Sequence, residues 1–293
     1  MRVALYGKTI TREKAAFLQT LTDKLEHDKI ALCFHRAFWE RIRSFLKVSD
    51  RVTLFDKYED LLEQDVKVLF SVGGDGTMLE TITLLRDSGI PVMGINLGRL
   101  GLLSSVPTSK ALDALDEVMK HRYTIEERTL LKVEADDYLF GTVNYALNEL
   151  TVHKSEAHSM LAVKVTVDGN YLNTYWADGL LIATPTGSTA YSMSCGGPIV
   201  TPNASNFIIT PIASHNLTVR PVVIPDDSVI TVEVLGRSHK YNLGLDSRYI
   251  AMEKPVALTI KKEKFKVNFI RLEDEGFFDT IRKKLNWGLD NRN

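Results

Sequence analysis

The chain has 293 residues, and its 36 Lys and Arg nearly balance 37 Asp and Glu, leaving a formal charge of -1. That balance excludes a generic binder of nucleic acid or anionic membrane, which needs a basic excess. The length predicts two domains at about 150 residues each. Only Cys33 and Cys195 are present, which excludes a disulfide framework and argues against a zinc cluster. The N-terminus (MRVALYGKTITREK) has only a five-residue apolar run before charge returns, unlike a signal peptide. No stretch approaches the ~18 apolar residues of a membrane span, so a soluble chain in a reducing cytoplasm is expected.

In chain order, Arg2–Tyr6 reads as a strand and Thr11–His27 as a helix, with Ala15, Ala16, Leu18, Leu21 and Leu25 on one stripe. Ile30–Phe34 is a second strand, and His35–Leu46 a second helix through Phe38, Ile42, Phe45 and Leu46. Val66–Val72 is a third strand, closed by Gly73-Gly74. Helical spacing over Thr77–Ser88 stops at Gly89, and Pro91–Ile95 is the next strand. This alternation predicts an α/β domain over residues 1–124, its parallel sheet covered by helices on both faces.

Beyond about Tyr123 the rhythm changes. Leu161, Val163, Val165 and Val167 alternate with Ala162, Lys164 and Thr166, and Asp168-Gly169 is the favoured two-residue hairpin turn leading to Tyr175 and Trp176. Ile230–Val234 alternates likewise, and further strand-like runs lie at Phe207–Ile212, Tyr241–Leu245, Val256–Lys261 and Lys266–Ile270. An all-β domain is expected over 125–273. A helical tail follows over 274–293, with a helix at Phe277–Leu289 that can return to the first domain.

The residues that carry chemistry begin with Gly73-Gly74-Asp75-Gly76-Thr77, at the junction of a strand and a helix. There α/β proteins place ligands, and glycines allow positive φ and close backbone approach. Successive N–H groups at a helix N-terminus form a nest for phosphate oxygens. The loop is neither a Walker A motif, since Met78 follows Thr77, nor a dinucleotide fingerprint, since Leu79 stands where the third glycine belongs. The bland alternative is a tight turn with Asp75 as the helix cap.

Two further segments point to a nucleotide. Asn148-Glu149 offers an amide able to read an adenine edge and a carboxylate able to take a ribose hydroxyl. Asp178–Val200 (DGLLIATPTGSTAYSMSCGGPIV) is dense in Gly, Ser, Thr and Ala, a wall suited to close ligand contact, with Tyr191 available to stack on a base. Other sets carry less. His153, His158, His215 and His239 share no metal-ligand spacing, and Ser192, Ser194 and Cys195 lack the G-x-S-x-G setting of a hydrolase. Lys261-Lys262 with Lys264, and Arg282-Lys283-Lys284, read as solvated faces of a strand and of the last helix.

With GGDGT at 73–77, NE at 148–149 and DG…TPTGSTAYS…GGP over 178–198 in order, the sequence resembles the NAD kinases of bacterial type. Related glycine-Asp loops occur in lipid and sphingoid kinases and phosphofructokinases; NE with TPTGSTAYS separates NAD kinases from them. The resemblance implies transfer of a γ-phosphoryl group from ATP, with Mg²⁺ or another divalent cation, to the 2′-hydroxyl of the adenosine ribose of NAD. It implies Asp75 as the catalytic proton acceptor, with Gly73, Gly74, Gly76 and Thr77 around it, and Asn148 and Glu149 on adenine and ribose. Asp178, Thr189, Ala190, Tyr191, Ser192, Met193 and Ser194 match NAD-binding positions, and His158, Ala183, Ala213 and Arg248 match positions that often line the site. At one position this chain departs: many bacterial members carry a basic residue where Trp176 stands. The resemblance further implies a homo-oligomer, a dimer or tetramer, with neither nucleic acid nor membrane as partner. The alternatives are a lipid or sphingoid kinase sharing GGDGT and a non-catalytic NAD-binding sensor.

Overall fold

The computed structural model describes residues 1–8, 10–49, 51–98, 101–135, 138–156, 160–235, 240–272 and 276–288, without the side chains of residues 12 and 13. They fall into two units, Met1–Glu127 with Val267–Asn293, and Arg128–Lys266.

The first unit opens with β1 (Arg2–Gly7), α1 (Arg12–His27), β2 (Ala31–His35) and α2 (Arg36–Ile42). It continues through β3 (Thr53–Phe55), α3 (Tyr58–Glu63), β4 (Val68–Val72), α4 (Asp75–Leu85) and β5 (Val92–Asn96). Then come β6 (Val106–Pro107), α5 (Ala111–Met119) and β7 (Thr124–Arg128). Strands β3-β2-β1-β4-β5 lie side by side and pair in parallel. The chain runs outward from β1 to β3, then places β4 on the other side of β1, so the order reverses between β1 and β4. Open α/β sheets bind ligands outside the carboxyl ends of their strands at such a reversal. Leu18, Leu21 and Leu25 of α1, Phe38 of α2 and Leu115 of α5 share one core with Val3, Leu5, Phe34 and Phe70. The alternate strand residues Ala4, Cys33 and Leu69 are fully buried too, so both faces of the sheet are covered, as a parallel sheet requires. Burying each such Leu contributes about 1.5–3 kcal/mol. Ala16, expected on the buried stripe of α1, is exposed, because it sits a full helical step from Ala15. The helix expected to reach Leu46 ends at Ile42, and Phe45 is exposed in the turn that follows.

The second unit contains β8 (Leu131–Glu134), β9 (Tyr145–Ala146), β10 (Glu149–Lys154), β11 (Leu161–Val167) and β12 (Asn170–Ala177). Strand β13 (Gly179–Ala183) leads to the one-turn α6 (Tyr191–Ser194), and β14 (Asn206–Ile212) and β15 (Val222–Pro225) follow. It ends with β16 (Ile230–Leu235), β17 (Tyr241–Leu245), β18 (Arg248–Met252) and β19 (Ala257–Lys262). Two six-stranded antiparallel sheets, β15-β14-β13-β10-β17-β18 and β12-β11-β16-β19-β8-β9, turn their apolar faces to a shared core. Val163, Val232 and Leu258 come from one sheet, and Leu150, Ile182, Phe207 and Leu243 from the other. This is a β-sandwich. The hairpin at Asp168-Gly169 has both residues at positive φ (52° and 77°), the conformation whose twist matches its strands.

The chain then returns to the first unit as β20 (Val267–Arg271) and α7 (Phe277–Leu285). The strand expected over Lys266–Ile270 as part of the β domain instead joins the first sheet, between β5 and β7 and parallel to β5. Its burial explains the choice: adjacent Phe269 and Ile270 are both buried, which a two-sided interior strand tolerates and a one-sided sandwich face does not. The C-terminal helix also returns to the first unit, with Ile281 buried.

Candidate active site

The glycine loop sits at the end of β4, beside the reversal point. The N–H of Gly73 bonds to the carbonyl of Ile95 at 2.9 Å, which ties the loop to the neighbouring strand. Gly74 is the N-cap of α4, with φ -96° and ψ -171°. None of Gly73, Gly74 and Gly76 has a positive φ, so the expectation of left-handed backbone is corrected. What this loop needs is the missing side chain. A Cβ on Gly73 would meet Thr77 Oγ1 at 2.3 Å, whereas a Cβ on Gly74 or Gly76 would meet nothing within 4 Å. Those two positions present bare backbone to open space. The first helical donors, Thr77 and Met78 N–H, both turn to the Gly74 carbonyl at 2.9 and 3.2 Å, so the N–H groups of Asp75 and Gly76 precede the intrahelical ladder.

Asp75 does not cap its helix. Its carboxylate accepts three backbone N–H bonds, from Leu102 to Oδ2 at 2.9 Å and from Leu103 and Ser104 to Oδ1 at 3.1 and 2.9 Å. Gly101 makes that approach possible, because a Cβ there would stand 1.8 Å from Asp75 Oδ1. Asn96, at the end of β5, shapes the returning segment by donating to the Ser104 carbonyl at 3.1 Å and accepting from Gly98 N–H at 2.7 Å. The Lys284 ammonium of α7 lies 3.5 Å from Asp75 Oδ2. Neither Gly101–Ser104 nor Lys284 was expected in the site. The first works through main-chain N–H groups that any sequence supplies, with Gly101 as the one visible clue. The second was expected on a solvated helix face.

In the second unit, Asn148 and Glu149 open β10. The carboxylate of Asp246 accepts the N–H groups of Leu147, Asn148 and Glu149 at 2.8, 2.8 and 3.2 Å, which fixes their backbone. Burial, and next the nearby Asp246 charge, push the Glu149 carboxyl up to about 8, with the Tyr191 N–H pulling the other way. Burial also raises Asp246, against the pull of its three N–H donors and Arg248. Asn148 Oδ1 and Glu149 Oε2 are buried with no hydrogen-bond partner. Such orphans cost about 1–3 kcal/mol each, so they point to a ligand. Asp246 lies in the two-residue β17–β18 turn at φ 53°, where sequence shows only a turn residue.

The structure gathers several of the expected residues around this pair. Ala183 pairs directly with Glu149 across β13 and β10, and Thr184 N–H bonds to the Asn148 carbonyl at 2.9 Å. Gly187 presses on the same carbonyl, which a Cβ would meet at 2.1 Å. Thr189, Ala190, Tyr191, Met193 and Ser194 follow as a compact turn, with Tyr191 39% exposed and the Ser192 hydroxyl turned inward to Thr210 at 3.1 Å. Asp178 is ion-paired with Lys154 at 2.7 Å. Ala213 follows β14 at φ 46°, while Arg248 spends its donors on the Val143 and Tyr145 carbonyls. His158 and His239 lie outside the described residues.

Comparison with known proteins accords with both halves. The model of the ATP-NAD kinase N-terminal domain matches residues 10–123, and that of the ATP-NAD kinase C-terminal domain residues 147–272. An NAD kinase of Cytophaga hutchinsonii is 42% identical over 294 residues, and one of Bacteroides fragilis 39% over 295, each alignment covering both chains in full. Among solved structures, a yeast NADH kinase complexed with NADH shares the fold at TM-score 0.88 and 21% identity, over 99% of this chain and 88% of that one. An Archaeoglobus fulgidus NAD kinase in complex with ATP aligns at TM-score 0.73 and 26% identity, over 98% and 99%. With both domain models matched in order and full-length relatives at this identity, the chain belongs to the NAD kinase family.

Proposed function

We propose that the chain transfers the γ-phosphoryl group of ATP to the 2′-hydroxyl of the adenosine ribose of NAD, giving NADP and ADP. The ribose oxygen attacks the γ-phosphorus as the bond to the ADP oxygen breaks, and Asp75 accepts the hydroxyl proton. Such transfer depends on alignment and charge neutralisation, and a positioned proton acceptor contributes about 10²–10⁴-fold. Three N–H donors from a fixed backbone segment hold the Asp75 carboxylate in one orientation, which is what alignment requires. The N–H groups of Asp75 and Gly76 face phosphate oxygens at the bare end of α4.

Asn148 and Glu149 receive the adenine and its ribose. The single observation that carries this reading is the pair of buried, unpartnered oxygens, Asn148 Oδ1 and Glu149 Oε2. With its pKa near 8, Glu149 is protonated at neutral pH, so its carboxyl can both donate to and accept from a ribose hydroxyl. Asp178, Ala183, Thr189, Ala190, Tyr191, Ser192, Met193, Ser194, Ala213, His158 and Arg248 complete the proposed NAD contacts and their support. Among the described residues no group of three or more His, Cys, Asp or Glu could hold a metal ion. Mg²⁺ or another divalent cation, bound together with ATP, would neutralise charge on the transferring phosphates. The enzyme works in the cytoplasm as a homo-oligomer, a reading that light scattering tests.

The assay is purified protein with ATP, Mg²⁺ and NAD, followed for NADP. NADP formation is expected. NAD binding without NADP would make the chain a sensor, and phosphorylated lipid without NADP a lipid or sphingoid kinase.

A further inference from the structure

Lys284 stands near the end of the chain, yet its ammonium reaches Asp75 Oδ2 at 3.5 Å, 209 positions back in sequence. Among the described residues it is the one side chain bonded to that carboxylate; the other donors are backbone N–H groups. The helix is built to present it. Ile281, three positions earlier and so on the same face of α7, is buried, while Arg282 is ion-paired with Asp279 on the exposed side.

We propose that Lys284 is a positioning residue for phosphoryl transfer, acting through Asp75, an inference that rests on the kinase reading above. A carboxylate offers about four lone-pair sites, and three are taken by rigid backbone donors. The hydroxyl that gives up its proton must therefore take the remaining site on Oδ2, where the Lys284 ammonium sits at 3.5 Å and would have to yield, and come within about 3.2 Å of that oxygen. That places the ammonium within about 7 Å of the ribose oxygen whatever the angle of approach. As the O–H bond breaks and the proton moves to Asp75, negative charge leaves the carboxylate and appears on the phosphoryl oxygens. The backbone donors are fixed and cannot follow it. The lysine side chain, partly exposed and flexible, can turn from one charge to the other.

The test is Lys284→Met, which keeps the length and removes the charge, with Lys284→Arg as the conservative control. Lys284→Met is expected to lower kcat about tenfold, leaving KM for NAD within about twofold and the melting temperature unchanged. Lys284→Arg is expected to restore kcat to within about threefold of the wild type. In an Asp75→Asn background the Lys284→Met change should cost nothing further, because the group through which it acts is gone. A kcat within about twofold of the wild type for Lys284→Met overturns the inference alone, and so does an equal loss in both backgrounds. Absence of NADP formation by the wild-type protein overturns the kinase reading, and this inference with it.

Discussion

At the scale of single residues, Glu149 carries a carboxyl raised by burial and by the nearby Asp246 charge. Its carboxyl titrates near 8 in the folded protein against an ordinary 4.5 in the unfolded chain, so between those values the folded state holds the extra proton. Its contribution to stability is therefore complete below about pH 4.5 and is lost as pH rises through about 8, with a slope of up to about 1.4 kcal/mol per pH unit. Glu149→Gln, which copies the neutral form, should remove that slope, as urea unfolding at pH 6, 7 and 8 would show; an unchanged slope would assign it to other groups. Asp246→Asn removes the like charge, so the same titration should move to lower pH. Both residues invite a narrower reading from sequence alone. Glu149 was legible as a ligand group through the resemblance that GGDGT, NE and TPTGSTAYS carry together; the Asn148-Glu149 pair alone reads as polar residues on a β edge. Asp246 was not, because an Asp in a two-residue turn has a sufficient local explanation.

At the scale of elements, the glycine loop separates what packing demands from what a ligand demands. Gly74→Ala puts a methyl group into open space at an ordinary φ, so stability should stay within about 0.5 kcal/mol while KM for ATP rises. Gly73→Ala drives the methyl into Thr77, and Gly101→Ala drives it into the Asp75 carboxylate, so each should cost about 1–3 kcal/mol in urea unfolding. Equal stability losses at 73 and 74 would show that the loop is sealed by protein. Periodicity made the long elements legible: α1, β4, α4, and the β11–β12 hairpin with its Asp-Gly turn. It offered nothing for β3 or α3, since three to six residues carry barely one period of any pattern. Lys284 escaped notice for a related reason. A basic run on an amphipathic helix looks solvated, and Lys284 is exposed like its neighbours; only its 3.5 Å distance to Asp75 Oδ2, which sequence cannot show, sets it apart.

For the whole molecule, the near-zero net charge and the returning chain matter most. A protein with a formal charge of -1 that handles two anionic nucleotides must hold them by local donors, the loop N–H groups and placed side chains. The return of β20 to the first sheet places the last part of the chain inside the unit that carries Asp75. Deleting 267–293 should therefore open that unit to limited proteolysis, because it removes a strand from between β5 and β7, and leave the β-sandwich of 128–266 resistant. Equal protection of both units would contradict the role given to β20. This return could not be read from sequence, where the strand follows directly on the β-rich half and has the same composition.

The most direct test of the central claim is turnover by Asp75→Asn under saturating ATP, Mg²⁺ and NAD, with NAD binding measured on the same protein. The amide keeps the size of the side chain and cannot accept the proton. NADP formation is expected to fall at least about a hundredfold while NAD binding stays within about threefold of the wild type. Near-normal turnover by a correctly folded Asp75→Asn protein would remove Asp75 from the chemistry and with it the mechanism proposed for this chain.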